Sequence, residues 1–184
     1  MAETKKVDQL KHQKVKNIHL LMINKKERAR GVGMNTDLSI MRLIPTQREE
    51  LFDFFVRPDL LEMWDYPEGM SLKVPVLVPR AGGEFRFEYT GENKSIVLLG
   101  NIKEFMPGTK LADVCDVLDQ NGNKIFGNLE TYYTFSEKPG GTLVTITERG
   151  FPDEKSKVEW EKVWNQCLDR LGSLFRNREV FGTL

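Results

Sequence analysis

Apolar and polar residues alternate through the middle of the chain and fall at helical spacing near its end. Glu84-Phe85-Arg86-Phe87-Glu88-Tyr89 sets a ring at every second position with charges between, the period of a half-buried strand. Segments of strand composition also run over Leu72 to Val78, Ser95 to Phe105, Leu111 to Asp119, Ile125 to Phe135 and Thr142 to Glu148. Turn signals part them: Ala81-Gly82-Gly83, Gly91-Glu92-Asn93, Pro107-Gly108, Asn121-Gly122 and Pro139-Gly140-Gly141. Each supplies a residue for positive φ or a proline to pre-set a turn. Connections this short join only antiparallel neighbours, so the six segments form an antiparallel meander.

Thr36 to Ile44 reads as a further strand, with Leu38, Ile40 and Arg42 alternating against Ser39, Met41 and Leu43, and Pro45 ends it. Thr46-Gln47-Arg48-Glu49 has the form of a capping box and opens a helix that buries Leu51, Phe52 and Phe55. Pro58 breaks that helix, and a second short helix from Asp59 to Asp65 presents Leu60, Leu61 and Trp64. After Pro152 the spacing predicts a long helix from about Asp153 to Arg178, with Ser156 and Glu159 as a second capping box. Trp160, Trp164, Cys167, Leu168, Leu171, Leu174 and Phe175 form one continuous apolar stripe on it. A stripe this long and aromatic needs a broad apolar partner, which the Phe85/Phe87/Tyr89 face of the meander supplies. The fold class is α+β, a curved antiparallel sheet wrapped around a long C-terminal helix.

This order, β-α-α-β(6)-α, resembles the helix-grip fold of the START/Bet v 1-like (SRPBCC) superfamily. Five features in order narrow it. Trp64 closes the second short helix, and Gly82-Gly83 precedes a strand. Gly100 to Glu104 runs into Phe105-Met106-Pro107 and then Leu111. Gly141-Thr142 opens the last strand, and Trp164-Asn165-Gln166-Cys167-Leu168-Asp169-Arg170-Leu171 lies in the long helix. Together they are similar to the family of the C-terminal domain of the heat-shock-protein-90 ATPase activator, over residues 36–176. The resemblance implies a helix-grip domain and a protein-interaction module that modulates a chaperone. Aromatase and cyclase relatives in the superfamily add a carboxylate- or tyrosine-based enzyme as a further implication.

Charge divides the chain. The 184 residues carry 27 basic and 27 acidic side chains. Residues 1–34 hold nine of the basic and three of the acidic ones, a net +6, and both histidines, His12 and His19. The remainder is therefore −6. A Gly31-Val32-Gly33 break marks the boundary between a basic N-terminal extension, 1–34, and a domain over 35–184. The extension reads either as a tail or as an arm for an acidic partner. No ring interleaves its lysines, so a single-strand nucleic-acid surface is not expected. The length suits one well-cored domain plus this extension. No apolar run reaches the roughly 18 residues of a membrane span, and no signal-peptide pattern opens the chain. Cys115 and Cys167 make no disulfide framework, so a reducing cytosol is the expected compartment.

From Met34 onward there is no histidine, which excludes Ser-His-Asp, Cys-His and His-ligated zinc chemistry in the domain. Gly82-Gly83 lacks a following Gly-Lys-Ser/Thr, and no dinucleotide fingerprint occurs. No cofactor or metal is expected. The remaining site is a cavity of a few hundred cubic ångström between sheet and helix, mostly apolar with a few orienting polar groups. Its candidate lining is Trp64, Phe85, Phe87, Tyr89, Tyr133, Trp160, Trp164 and Cys167. In Leu111-Ala112-Asp113-Val114-Cys115-Asp116 either alternation parity turns an aspartate inward, Asp113 or Asp116, where burial would raise its pKa. Glu148 and Arg149 read as a surface pair. The expected function is non-catalytic binding of a small hydrophobic or lipid-like molecule. A chaperone-interacting module and a cyclase-like enzyme are the alternatives.

Overall fold

The computed structural model describes residues 37–181. The basic segment 1–34 and Thr36 lie outside the described residues. The elements are β1 (Leu38–Ile44), α1 (Arg48–Val56), α2 (Pro58–Leu61), β2 (Met70–Leu77), β3 (Glu84–Gly91), β4 (Lys94–Met106), β5 (Lys110–Leu118), β6 (Lys124–Lys138), β7 (Gly141–Arg149) and α3 (Glu154–Phe181). Seven antiparallel strands form one curved sheet in the order β1-β7-β6-β5-β4-β3-β2. β2 to β7 are the meander, and β1 returns to pair with β7, Leu38 opposite Glu148 and Ile44 opposite Thr142. This is the helix-grip arrangement.

The long helix α3 packs against the sheet face that carries Leu38, Ile40 and Ile44, all buried. Arg42 points the same way. Its Nη2 donates to Asn165 Oδ1 at 3.1 Å and pairs with Asp169 at 3.0 Å, tying β1 to α3. Met41 and Leu43 take the opposite face, where Met41 is 64% exposed. α1 closes one end of the sheet. Phe52 meets the rings of Phe105 and Phe135 at 5.6 and 5.3 Å, and Phe55 meets Phe135 at 5.0 Å.

Neither predicted capping box forms. α1 begins at Arg48 with Gln47 as its N-cap and no side-chain cap bond, which leaves Thr46 one residue outside. The Thr46 hydroxyl donates to Glu50 instead. At α3 the capping acceptor is Asp153 Oδ1, which takes the Ser156 N–H at 2.7 Å. Ser156 is buried under the helix start, and Glu159 pairs with Lys162. The second short helix is a single turn that ends at Leu61, so Asp65 and Trp64 sit on the loop after it.

Candidate functional site

Between the concave sheet face and α3 lies a cavity of about 80 Å³, or about 970 Å³ when all space between the lining atoms is counted out through its mouth. The smaller figure is below the expected few hundred cubic ångström. Trp160, Trp164, Phe85 and Phe87 turn into the space and fill much of it. It still exceeds the roughly 10–15 Å³ that one water needs on that measure. A second space of about 20 Å³ adjoins it and shares Asp65, Phe85, Phe87, Asp113, Tyr133 and Trp164.

Cross-strand rows build the floor. Phe85 stands opposite Gly100, Gly100 opposite Cys115, and Cys115 opposite Leu129. A Cβ on Gly100 would collide with the Val114 carbonyl and with the Phe85 ring, so glycine lets that ring lie across β4. In another row Asp113 stands opposite Thr131, and Thr131 opposite Glu148. Inward side chains of adjacent strands lie close together, and both carboxyl groups line the space under α3.

Three carboxyl groups line this otherwise apolar space: Asp65, Asp113 and Glu148. Glu148 is 2% exposed. Its Oε1 accepts from Thr131 Oγ1 at 3.2 Å and from Trp160 Nε1 at 3.1 Å. Burial pushes its pKa up to about 8, against the pull of the Trp164 and Trp160 indoles and the Thr131 hydroxyl. The Trp164 N–H lies on the side of this carboxyl and favours its charged form, yet neither Trp164 Nε1 nor Glu148 Oε2 reaches hydrogen-bond geometry with any described partner. Asp65 is pushed up to about 6 by burial, and the Tyr89 hydroxyl, which donates to its Oδ2 at 3.2 Å, holds it lower than burial alone would. Asp113 lies well above the usual carboxylate range, through burial first and then the charges of Glu148 and Asp65. Asp65 and Asp113 keep part of their surface open because they line the cavity. Burial and the nearby Asp113 also raise the Tyr133 phenol.

Of the residues expected at the cavity, Phe85, Phe87, Tyr89, Asp113, Tyr133, Trp160 and Trp164 line it. Three do not. Trp64 is fully buried beside the small adjoining space, where its Nε1 donates to the Phe54 carbonyl at 3.0 Å and its ring packs on Phe55 at 4.8 Å. Cys167 is buried on the part of α3 that faces the loop after α2, its Sγ 3.4 Å from the Tyr66 carbonyl. Asp116 is turned outward at a β-bulge between β5 and β6. Its Oδ1 accepts the Asn128 N–H at 3.3 Å, and its Oδ2 pairs with Lys124 at 2.5 Å. The inward parity of β5 is therefore that of Asp113, Cys115 and Val117.

Glu148 overturns the surface-pair expectation. Its parity was the available signal, since Thr142, Val144, Ile146 and Glu148 alternate on one face of β7 and all are buried. Asp65 carried no periodic signal, because it follows a one-turn helix. Arg149 does reach the surface, over Tyr132 and beside Asp37.

Known proteins share this architecture. A Chromobacterium violaceum structure is 23% identical, with 76% of this chain and 96% of that chain covered and a TM-score of 0.70. An Arthrobacter aurescens structure is 14% identical over 80% and 91%, with a TM-score of 0.69. The AHSA1 protein of Silicibacter pomeroyi is 18% identical over 77% and 99%, with a TM-score of 0.67. At these identities the likeness is one of fold. No curated protein matches the chain. No described helix is long and apolar enough to cross a membrane. The family model described as "Activator of Hsp90 ATPase homolog 1-like protein" matches residues 45–176, from the end of β1 to the last turns of α3, and the chain belongs to this family of the Bet v 1-like superfamily.

Proposed function

We propose that the protein binds a compact hydrophobic or amphipathic molecule in the cavity between sheet and α3, without turnover. The observation that carries this reading is an aromatic-walled space with polar ends left unpartnered at its wall. Among the described residues neither Glu148 Oε2 nor Trp164 Nε1, both buried, has a hydrogen-bond partner, and an unsatisfied buried polar atom costs about 1–3 kcal/mol. A bound molecule that meets one of them recovers part of that cost. Such apolar cavities with a few convergent polar groups are the usual form of a small-molecule site.

Acid–base chemistry on the bound molecule is a second reading. It is favoured by Asp113 and Glu148 converging on one space with raised pKa values. The family description adds a chaperone-interacting module, for which the exposed Met41 and Leu43 on the edge strand β1 offer some apolar surface. The decisive experiment is native mass spectrometry of the full chain purified from its own host. A discrete mass increment that is lost on denaturation is expected. A bare mass, together with no change of tryptophan fluorescence across a panel of small apolar amines, alcohols and acids, overturns the reading.

A further inference from the structure

We propose that the cavity's ligand carries a protonated amine, held between Asp113 and Glu148, on a compact apolar body. This rests on the ligand-binding reading above and names the chemistry of the ligand's polar end.

Two carboxyl groups on the wall are short of hydrogen-bond donors, although the Trp164 N–H lies on the side of Glu148. The Asp113 carboxyl has no hydrogen bond or ion pair among the described residues. Glu148 Oε2 has none either, although Glu148 is nine-tenths buried and more. An ammonium group brings three N–H donors and no acceptor. It can meet Asp113, Glu148 Oε2 and the hydroxyl of Tyr133, the polar tip of that cavity-lining ring.

Charge selects the same class. Among the described residues no lysine, arginine or histidine lines the cavity. An anionic head group would add a negative charge beside three carboxyl groups with no countercharge. A neutral hydroxyl would gain hydrogen bonds but would do little to stabilise the carboxyl groups once ionised. The rings of Trp160, Trp164, Tyr133 and Phe126 line the space, and the face of such a ring attracts a cation. Among the described residues no group of three or more acidic, cysteine or histidine side chains could hold a metal ion, so the cation is organic.

The groups around Asp113 come from every element that packs there. Asp65 reaches in from the loop after α2, Tyr89 from β3, Cys115 from β5, Tyr133 from β6 and Glu148 from β7. α3 contributes the Ser156 hydroxyl and the Trp160 and Trp164 indoles. Arg170, whose charge acts on Asp65, is committed elsewhere. Its Nη1 donates to the Trp64 and Tyr66 carbonyls at 2.7 and 2.8 Å, and its guanidinium lies 3.9 Å from the Tyr66 ring centre. Binding an ammonium ion therefore requires these carboxyl groups to release protons to solvent, and affinity rises with pH over the range where they titrate.

The test titrates the full chain with cyclohexylmethylamine, cyclohexylmethanol and cyclohexanecarboxylate, three probes with one body, by calorimetry and tryptophan fluorescence. At about pH 8 the amine is expected to bind at least about tenfold tighter than the other two. Its affinity should fall about tenfold or more by about pH 5 while that of the alcohol stays flat. Asp113→Asn, a neutral isostere, should lower amine affinity about tenfold and leave alcohol affinity within about twofold. Should that variant not fold, Glu148→Gln is read in the same way. Alcohol binding with no preference for the amine, or a preference untouched by either variant, overturns the inference and leaves the ligand-binding reading standing. No binding of any probe overturns both.

Discussion

Asp113 and Glu148 flank Thr131 in one cross-strand row, yet only Glu148 receives hydrogen bonds from its neighbours, the Thr131 hydroxyl and the Trp160 indole. Burial raises the pKa of both. What separates them is the number of donors aimed at the charged form.

Glu148 makes folding stability fall as pH rises. Its pKa is about 8 in the folded protein against an ordinary 4.5, so between those values the folded state holds a proton that the unfolded state has lost. The stability is fully present below about pH 4.5 and is lost as pH rises through about 8. The loss from this group is on the order of 5 kcal/mol. Urea unfolding of the wild type and Glu148→Gln at the two ends of that range should show a shallower loss in the variant. Parallel pH profiles contradict the assignment.

Tyr89 sets the titration of Asp65. Its hydroxyl donates to the Asp65 carboxyl at 3.2 Å and so favours the ionised form. Tyr89→Phe removes that donor and should move Asp65 upward from about 6, by about one unit. Carbon-13 NMR of the carboxyl group against pH reads the midpoint directly. A midpoint that stays or falls is the contrary result.

Trp64 and Trp160 should differ in their worth to the fold. Trp64 is fully buried with its N–H satisfied by Phe54, and Trp64→Ala should cost about 3–5 kcal/mol. Trp160 is half-buried and borders existing empty space, so Trp160→Ala leaves less new void and should cost about half as much or less. Denaturant midpoints of the two variants rank them. Equal losses would place Trp160 in the solid core.

Gly100→Ala tests the cavity floor. The added methyl meets the Val114 carbonyl and the Phe85 ring, and overpacking of this kind costs about 1–3 kcal/mol. Thermal melts should register the loss, and the amide NMR shifts of Phe85 and Cys115 should move. An unperturbed melt with unmoved shifts would mean that β4 yields freely at this point.

The sheet and its helix were legible because their signals are periodic. Glu84 to Tyr89 and the α3 stripe announce which face is buried, and the turn glycines part the strands. The site was legible where it obeyed those periods, as with Phe85, Tyr133 and Trp164. Local events hid the rest. Both parities of β5 carry an aspartate, so alternation alone did not say that Asp113 faces inward with Cys115 and Val117 while Asp116 faces out, opposite a bulge at Gly127 and Asn128. Trp64 and Cys167 belong to the apolar stripe of their segments, but periodicity does not say whether such a residue meets a neighbour or a void. Asp65 lies on the loop after a single helical turn, a loop held by the Tyr89 hydroxyl of β3 and the Arg170 guanidinium of α3.

Pairing of β1 with β7 also bears on how the molecule is made. Leu38 finds its partner Glu148 only after the whole meander has been synthesised, roughly a hundred residues later. Contacts this distant along a chain are slow to form. The strand that completes the sheet is the one that delivers Glu148, so closing the edge and installing the last of the three acids are a single event. A nascent chain short of β7 has an open sheet and no finished cavity.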